Sequence, residues 1–124
     1  MKKIFAVDDD EDILYTIKKI FEDKCKQYKI TTINSGKKLF KLLAEDLPDI
    51  IILDIMIPDM NGFDIYKKLK TRPDWKNIPI LFISSIADDS SKKIAYKIGD
   101  DFIEKPFTPD VLLYKIENIL EKID

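Results

Sequence analysis

Histidine is absent from this 124-residue chain, and cysteine occurs once, as Cys25. Without histidine there is no imidazole metal ligand, no histidine general base and no phosphohistidine. A single cysteine rules out an internal disulfide and fits a reducing, cytoplasmic setting. Cys25 itself reads as a bystander near the end of a helix. Glycine is scarce, at three residues, and Arg72 is the one arginine in a set of 21 basic residues. That preference for lysine reads as lineage bias rather than function. No apolar run reaches the roughly 18 residues that would suggest a membrane span. Met1 to Val7 begins like a signal peptide, but the acidic run from Asp8 cuts its apolar part short, so a strand is expected. The net charge of −2 gives no general attraction to nucleic acid or anionic lipid, so no direct nucleic-acid or membrane partner is expected. What is present, 45% hydrophobic and 35% charged residues, supports a single domain over residues 1–124.

Apolar runs and helical stripes alternate along the chain. Ile4–Val7 predicts a buried strand ending in Asp8-Asp9-Asp10-Glu11-Asp12. Ile13, Leu14, Ile17, Ile20 and Phe21 then recur on one helix face, with acidic residues suited to the positive end of the helix dipole. Ile30–Ile33 predicts a second strand, and Asn34-Ser35-Gly36 opens a helix carrying Leu39, Phe40, Leu42 and Leu43. Leu47-Pro48-Asp49 interrupts it. Ile50–Leu53, apolar throughout, fits a central strand covered on both faces and ends at Asp54. Pro58, Asn61 and Gly62 mark a loop before a helix with Phe63, Ile65, Tyr66 and Leu69. Ile80–Ile83 predicts a fourth strand ending at Ser84-Ser85, and Ile94, Ala95 and Ile98 a short fourth helix stopped by Gly99. Phe102-Ile103 predicts a fifth strand ending at Lys105-Pro106. Thr108 caps a last helix with Pro109 in its first turn and Leu112, Ile116, Ile119, Leu120 and Ile123 buried. Strict alternation of strands and helices calls for an α/β fold, a five-stranded parallel sheet with five helices on both faces and right-handed crossovers.

In such sheets ligands bind beyond the carboxyl ends of the strands. Asp8 and Asp9 follow the first strand, Asp54 the third, Ser84 the fourth and Lys105 the fifth. If the first and third strands are neighbours, three carboxylates meet and repel, and a hard divalent cation with oxygen ligands is their natural partner. Lys105 adds a positive charge and Ser84 a hydroxyl, which together suit a dianionic phosphoryl group. Taken singly the residues have plainer roles. A helix cap is as good a reading as a site role for Asp10 or Asp12 and the better one for Asp8 and Asp9 taken alone, a serine after a strand forms turns, and a lone lysine is solvated. The placement of all five at strand ends favours the site.

Four segments resemble the receiver domain of bacterial response regulators of the chemotaxis-regulator type. They are Val7-Asp8-Asp9-Asp10, Leu53 to Gly62 with Asp54 and Pro58, Pro79 to Ser85, and Asp101 to Phe107 with Lys105-Pro106-Phe107. The resemblance implies a doubly wound, flavodoxin-like sheet in the order 2-1-3-4-5. It implies that Asp54 is the phosphoacceptor, assisted by Lys105 and Ser84. Mg²⁺, or Mn²⁺, would be held by Asp8, Asp9, Asp54 and the backbone carbonyl of Met56. Met56, Ser85 and Ile86 would form the rim of the phosphate site. Ser84 and Phe102 would act as the switch that changes the surface of helix four, strand five and helix five. The phosphoryl donor would be a sensor histidine kinase or a histidine phosphotransfer protein. The response would pass to an output domain or downstream protein, from a monomer or a phosphorylation-dependent dimer. Such a domain is not an enzyme beyond its own phosphorylation and dephosphorylation.

From Ser84 to Lys105 the chain is one residue shorter than the family pattern, so Gly99 falls where alanine is usual and Ile98 where glycine is usual. A displaced fourth helix is therefore expected. Apolar Met56 and Ile86 would hinder an attacking water, or merely pack. Leu113 and Tyr114 are open between partner surface and half-buried positions, while Trp75 is expected to pack. A haloacid-dehalogenase-type phosphatase would want a second aspartate two residues after the first, where Met56 stands. A flavin binder would want a hydroxyl- and glycine-rich loop after the first strand, where this chain is acidic. A degenerate receiver that only binds partner proteins is the remaining alternative, although all five active-site residue types are present. The chain closes with the fifth helix, as a single-domain regulator or an excised receiver would.

Overall fold

The computed structural model describes residues 1–24, 27–85 and 88–123, without the side chains of residues 24 and 123. Its elements are β1 (Lys2–Val7), α1 (Glu11–Lys24), β2 (Tyr28–Ile33), α2 (Gly36–Leu43), β3 (Ile50–Asp54), α3 (Gly62–Lys70), β4 (Ile80–Ser84), α4 (Asp89–Ile98), β5 (Asp101–Glu104) and α5 (Pro109–Ile123). All strand pairs are parallel, in the order β2-β1-β3-β4-β5. The direction of winding reverses at β1, which pairs with both β2 and β3, so the crevice beyond Val7 and Leu53 is the switch point where ligands settle.

Side chains alternate across the sheet and fill two cores. Ile4, Ala6, Ile50, Ile52, Leu81, Ile83 and Ile103 face α1 and α5, which contribute Leu14, Ile17, Ile20, Phe21, Leu112, Ile116, Ile119 and Leu120. Phe5, Val7, Ile51, Leu53, Ile80, Phe82 and Phe102 face the other way, toward α2, α3 and α4. Each fully buried isoleucine or leucine contributes about 1.5–3 kcal/mol relative to exposure. The two-faced burial is why these strands read as unbroken apolar runs.

Polar side chains start the helices. Asp10 Oδ1 accepts from Asp12 N–H at 2.9 Å, which makes Asp10, not Asp12, the cap of α1. Ser35 Oγ accepts from Lys38 N–H at 3.1 Å, Asn61 Oδ1 from Phe63 N–H at 2.7 Å, and Asp88 Oδ2 from Ser91 N–H at 3.0 Å. Thr108 Oγ1 accepts from Val111 N–H at 3.3 Å, with Pro109 opening α5 as expected. A cap of this kind is worth about 1 kcal/mol.

The short fourth helix runs over Asp89–Ile98 and stops at Gly99, as expected. Ala95 is buried and Ile98 half-buried, but Ile94 is 44% exposed. At its end Gly99 lies against Phe82, where a Cβ would stand 2.6 Å from Phe82 Cδ2. The short connection does not shift the strand that follows. β5 keeps register with β4, Phe82 opposite Phe102 and Ser84 opposite Glu104. Leu113 packs against the α1–α5 core, whereas Tyr114 is exposed. Trp75 packs, buried beside Phe40 and under Arg72.

Candidate functional site

Strand register places the chemistry. Val7 pairs with Leu53, so the residues that follow them, Asp8 and Asp54, emerge side by side at the switch point. Asp54 pairs with Ile83, and Lys105 N–H donates to Ser84 O at 2.9 Å, which brings Lys105 to the end of β4. The Lys105–Pro106 peptide is cis.

Lys105 Nζ lies 2.7 Å from Asp8 Oδ2 and 2.9 Å from Asp54 Oδ2. Asp8, Asp54 and Ser84 are buried, and Asp9 is exposed at the mouth. The other oxygen of each inner carboxylate is tied to backbone: Asp8 Oδ1 accepts from Asp10 N–H and Asp54 Oδ1 from Met56 N–H, both at 3.0 Å. One oxygen from each of Asp8, Asp9 and Asp54 lies within 4.8 Å of the other two.

Three carboxylates against one ammonium leave the cluster negative. Burial pushes the Asp8 carboxyl above its ordinary range, and the neighbouring Asp54 charge adds to that. Lys105 and the Asp10 amide pull the other way without cancelling it. For Lys105, burial works against the charged form, but the carboxylates of Asp8 and Asp54 outweigh it and raise its pKa. The ammonium therefore stays charged. Asp8 Oδ2 is close enough to Lys105 for an ion pair, yet it has no partner of hydrogen-bonding geometry among the described residues. A buried carboxylate oxygen left this way, beside two more carboxylates, fits a hard divalent cation.

Comparison with known proteins agrees with this geometry. Residues 4–117 match the family model described as the response regulator receiver domain. The chain belongs to the response regulator receiver domain family. It is 36% identical to the response regulator SaeR of Staphylococcus aureus over 99% of this chain and 52% of that protein. This receiver thus spans about half the length of the curated relatives it matches. Among solved structures it is similar to a two-component response regulator from Clostridium difficile, with a TM-score of 0.89 and 26% identity over 100% of this chain and 99% of that one. The Francisella response regulator 1452 receiver domain gives a TM-score of 0.88 at 27% identity, covering both chains fully.

Asp8, Asp9, Asp54 and Lys105 lie together beyond the strand ends, Ser84 stands at the end of β4, and Met56, two residues after Asp54, is 58% exposed. Ser85 is exposed at the rim, and Ile86 lies outside the described residues. Phe102 is buried, its ring 5.5 Å from that of Tyr96 on α4. Sequence reading gave Asp59 no role, yet its Oδ1 accepts from Gly36 N–H and its Oδ2 from Lys37 N–H, each at 3.1 Å. Nothing local links residues 23 and 22 positions apart, so only the fold could reveal that contact.

Proposed function

We propose that this receiver takes a phosphoryl group from the phosphohistidine of a sensor histidine kinase or histidine phosphotransfer protein onto Asp54. A carboxylate oxygen of Asp54 attacks phosphorus. The phosphorus–nitrogen bond of the donor breaks, and its electron pair stays on the imidazole, which takes up a proton. Asp8, Asp9, Asp54 and the Met56 carbonyl would hold Mg²⁺, which when bound supplies charge neutralisation for the phosphoryl oxygens. Lys105, already aimed at Asp54 Oδ2, is freed to pair with the phosphoryl group. Buried Ser84 stands on the neighbouring strand as a hydroxyl donor.

The observation that carries the reading is the Lys105 ammonium held between Asp8 and Asp54 at the strand switch point. The domain is consumed and regenerated as a signal carrier rather than turning over a substrate. Ser84 engaging the phosphoryl group would vacate space for Phe102, whose ring now packs on Tyr96, and would change the α4–β5–α5 surface presented to an output domain or partner. Apolar Met56 at the mouth offers no group to orient water and favours a long-lived phosphate. No helix among the described residues is long and apolar enough to cross a membrane, and a cytoplasmic setting belongs to this proposal.

Incubation with acetyl phosphate and Mg²⁺, followed by intact mass measurement, tests it. One added phosphoryl group is expected, absent without Mg²⁺ and absent in Asp54→Asn. Failure with acetyl phosphate and with candidate kinases, in folded protein, would replace this reading with a receiver that only binds partners.

A further inference from the structure

The loop from Asp54 to α3 is fastened at three places. Near its start, Met56 N–H donates to Asp54 Oδ1 at 3.0 Å. At its end, Gly62 N–H donates to Ile55 O at 2.8 Å. Between them, Asp59 leaves its own loop and takes the first two amides of α2, Gly36 and Lys37, on its two carboxylate oxygens.

The contact is close as well as polar. A Cβ on buried Gly36 would stand 3.1 Å from Ile65 Cδ1 and 3.3 Å from Met60 Cβ. The start of α2 therefore lies directly on the loop. Two adjacent amides donating to one ionised carboxylate fix its orientation as well as its position, and the positive end of the helix favours the charge. Consistent with this, the Gly36 and Lys37 amides hold the Asp59 carboxyl below its ordinary range, against a smaller opposing effect of burial.

We propose that Asp59 is a positioning residue for the phosphoryl and metal site, holding the Met56 segment in place through α2. This rests on the function proposed above, because the Met56 carbonyl and Asp54 are the groups it would position. The physical reason is the geometry of the small cation. Mg²⁺ demands near-octahedral coordination, so a loop that must first be ordered binds it more weakly. Asp54 is affected too, because its Oδ1 is tied to the Met56 amide.

The test uses the whole chain and the variants Asp59→Ala and Asp59→Asn. Mg²⁺ is titrated by calorimetry, and amide hydrogen exchange at Gly36, Lys37 and Met56 is followed by NMR. Asp59→Ala is expected to weaken Mg²⁺ binding by about tenfold and to speed exchange at Met56 as well as at the two α2 amides. Asp59→Asn, which keeps one acceptor oxygen, is expected to fall between, and it decides the matter if the alanine variant does not fold. Wild-type Mg²⁺ affinity and Met56 protection in the variants, with only Gly36 and Lys37 losing protection, would make Asp59 a cap for α2 and overturn the proposal. Asp9→Asn separates the two readings. If the wild type binds no Mg²⁺, or Asp9→Asn leaves binding intact, the metal site itself is wrong and this inference falls with it.

Discussion

The ends of β1 and β3 and the outer corner of α4 and β5 belong to one sheet but are held very differently. At the first, every inner carboxylate has a backbone amide on one oxygen and the Lys105 ammonium near the other. The loop that follows is bonded again at Asp59 and Gly62. At the second, α4 has one buried residue, Ala95, where α5 has four buried apolar ones among its described side chains. It meets β5 through the Tyr96–Phe102 ring contact, with Tyr96 itself exposed, and through the partly exposed Lys92–Glu104 ion pair, a kind that contributes little. Few buried contacts mean a low cost of local opening. The groups proposed to meet a phosphoryl group are over-determined, while the surface proposed to report it is thinly attached.

The largest expected effect contrasts the helices. Ile116→Ala in α5 should cost about 3–4 kcal/mol, and Ile98→Ala in α4 about 1 kcal/mol because that residue is half-buried. Urea unfolding measures both, and equal costs would break the comparison. Next come two glycines with equally tight surroundings. A Cβ at Gly62 would lie 2.6 Å from Asp54 O and 2.8 Å from Ile55 Cα, both backbone. A Cβ at Gly99 would lie 2.6 Å from a ring atom of Phe82. Gly62→Ala should therefore cost about 3 kcal/mol and disturb the site, whereas Gly99→Ala should cost about 1 kcal/mol as α4 gives way. A Gly99→Ala variant as unstable as Gly62→Ala would show that α4 is firmly held.

The smallest effect is a pH dependence. The Asp59 carboxyl is held low in the fold, so its contribution is present above the unfolded value of ~3.9 and is lost as pH falls through the lower native value. Wild type should exceed Asp59→Ala by about 1 kcal/mol near neutral pH. The gap should stay level down to moderately acidic pH and then close. Thermal unfolding across that range checks it, and a gap that widens on acidification would contradict the sign.

The strands and most helix stripes were legible because burial on both faces of a sheet leaves long apolar runs and burial on one helix face leaves a 3.6-residue period. α4 was legible as a helix, but which of its apolar residues is covered was not: Ala95 is buried while Ile94 faces solvent. Asp10 and Asp12 are chemically equal as caps, and only the backbone path after β1 chose Asp10.

The sequence by itself determined the alternation of strands and helices, the cap at Thr108, and the set Asp8, Asp9, Asp54, Ser84 and Lys105 at strand ends. These are local properties, since hydrophobic period and capping chemistry act within a few residues. Tertiary structure alone decided that Lys105 stands between Asp8 and Asp54, that Asp8 loses its water, and that Asp59 reaches α2. Those depend on strand order and register, which bring together groups as much as 97 positions apart. Burial and charge energies follow the distances that result, not the spacing along the chain.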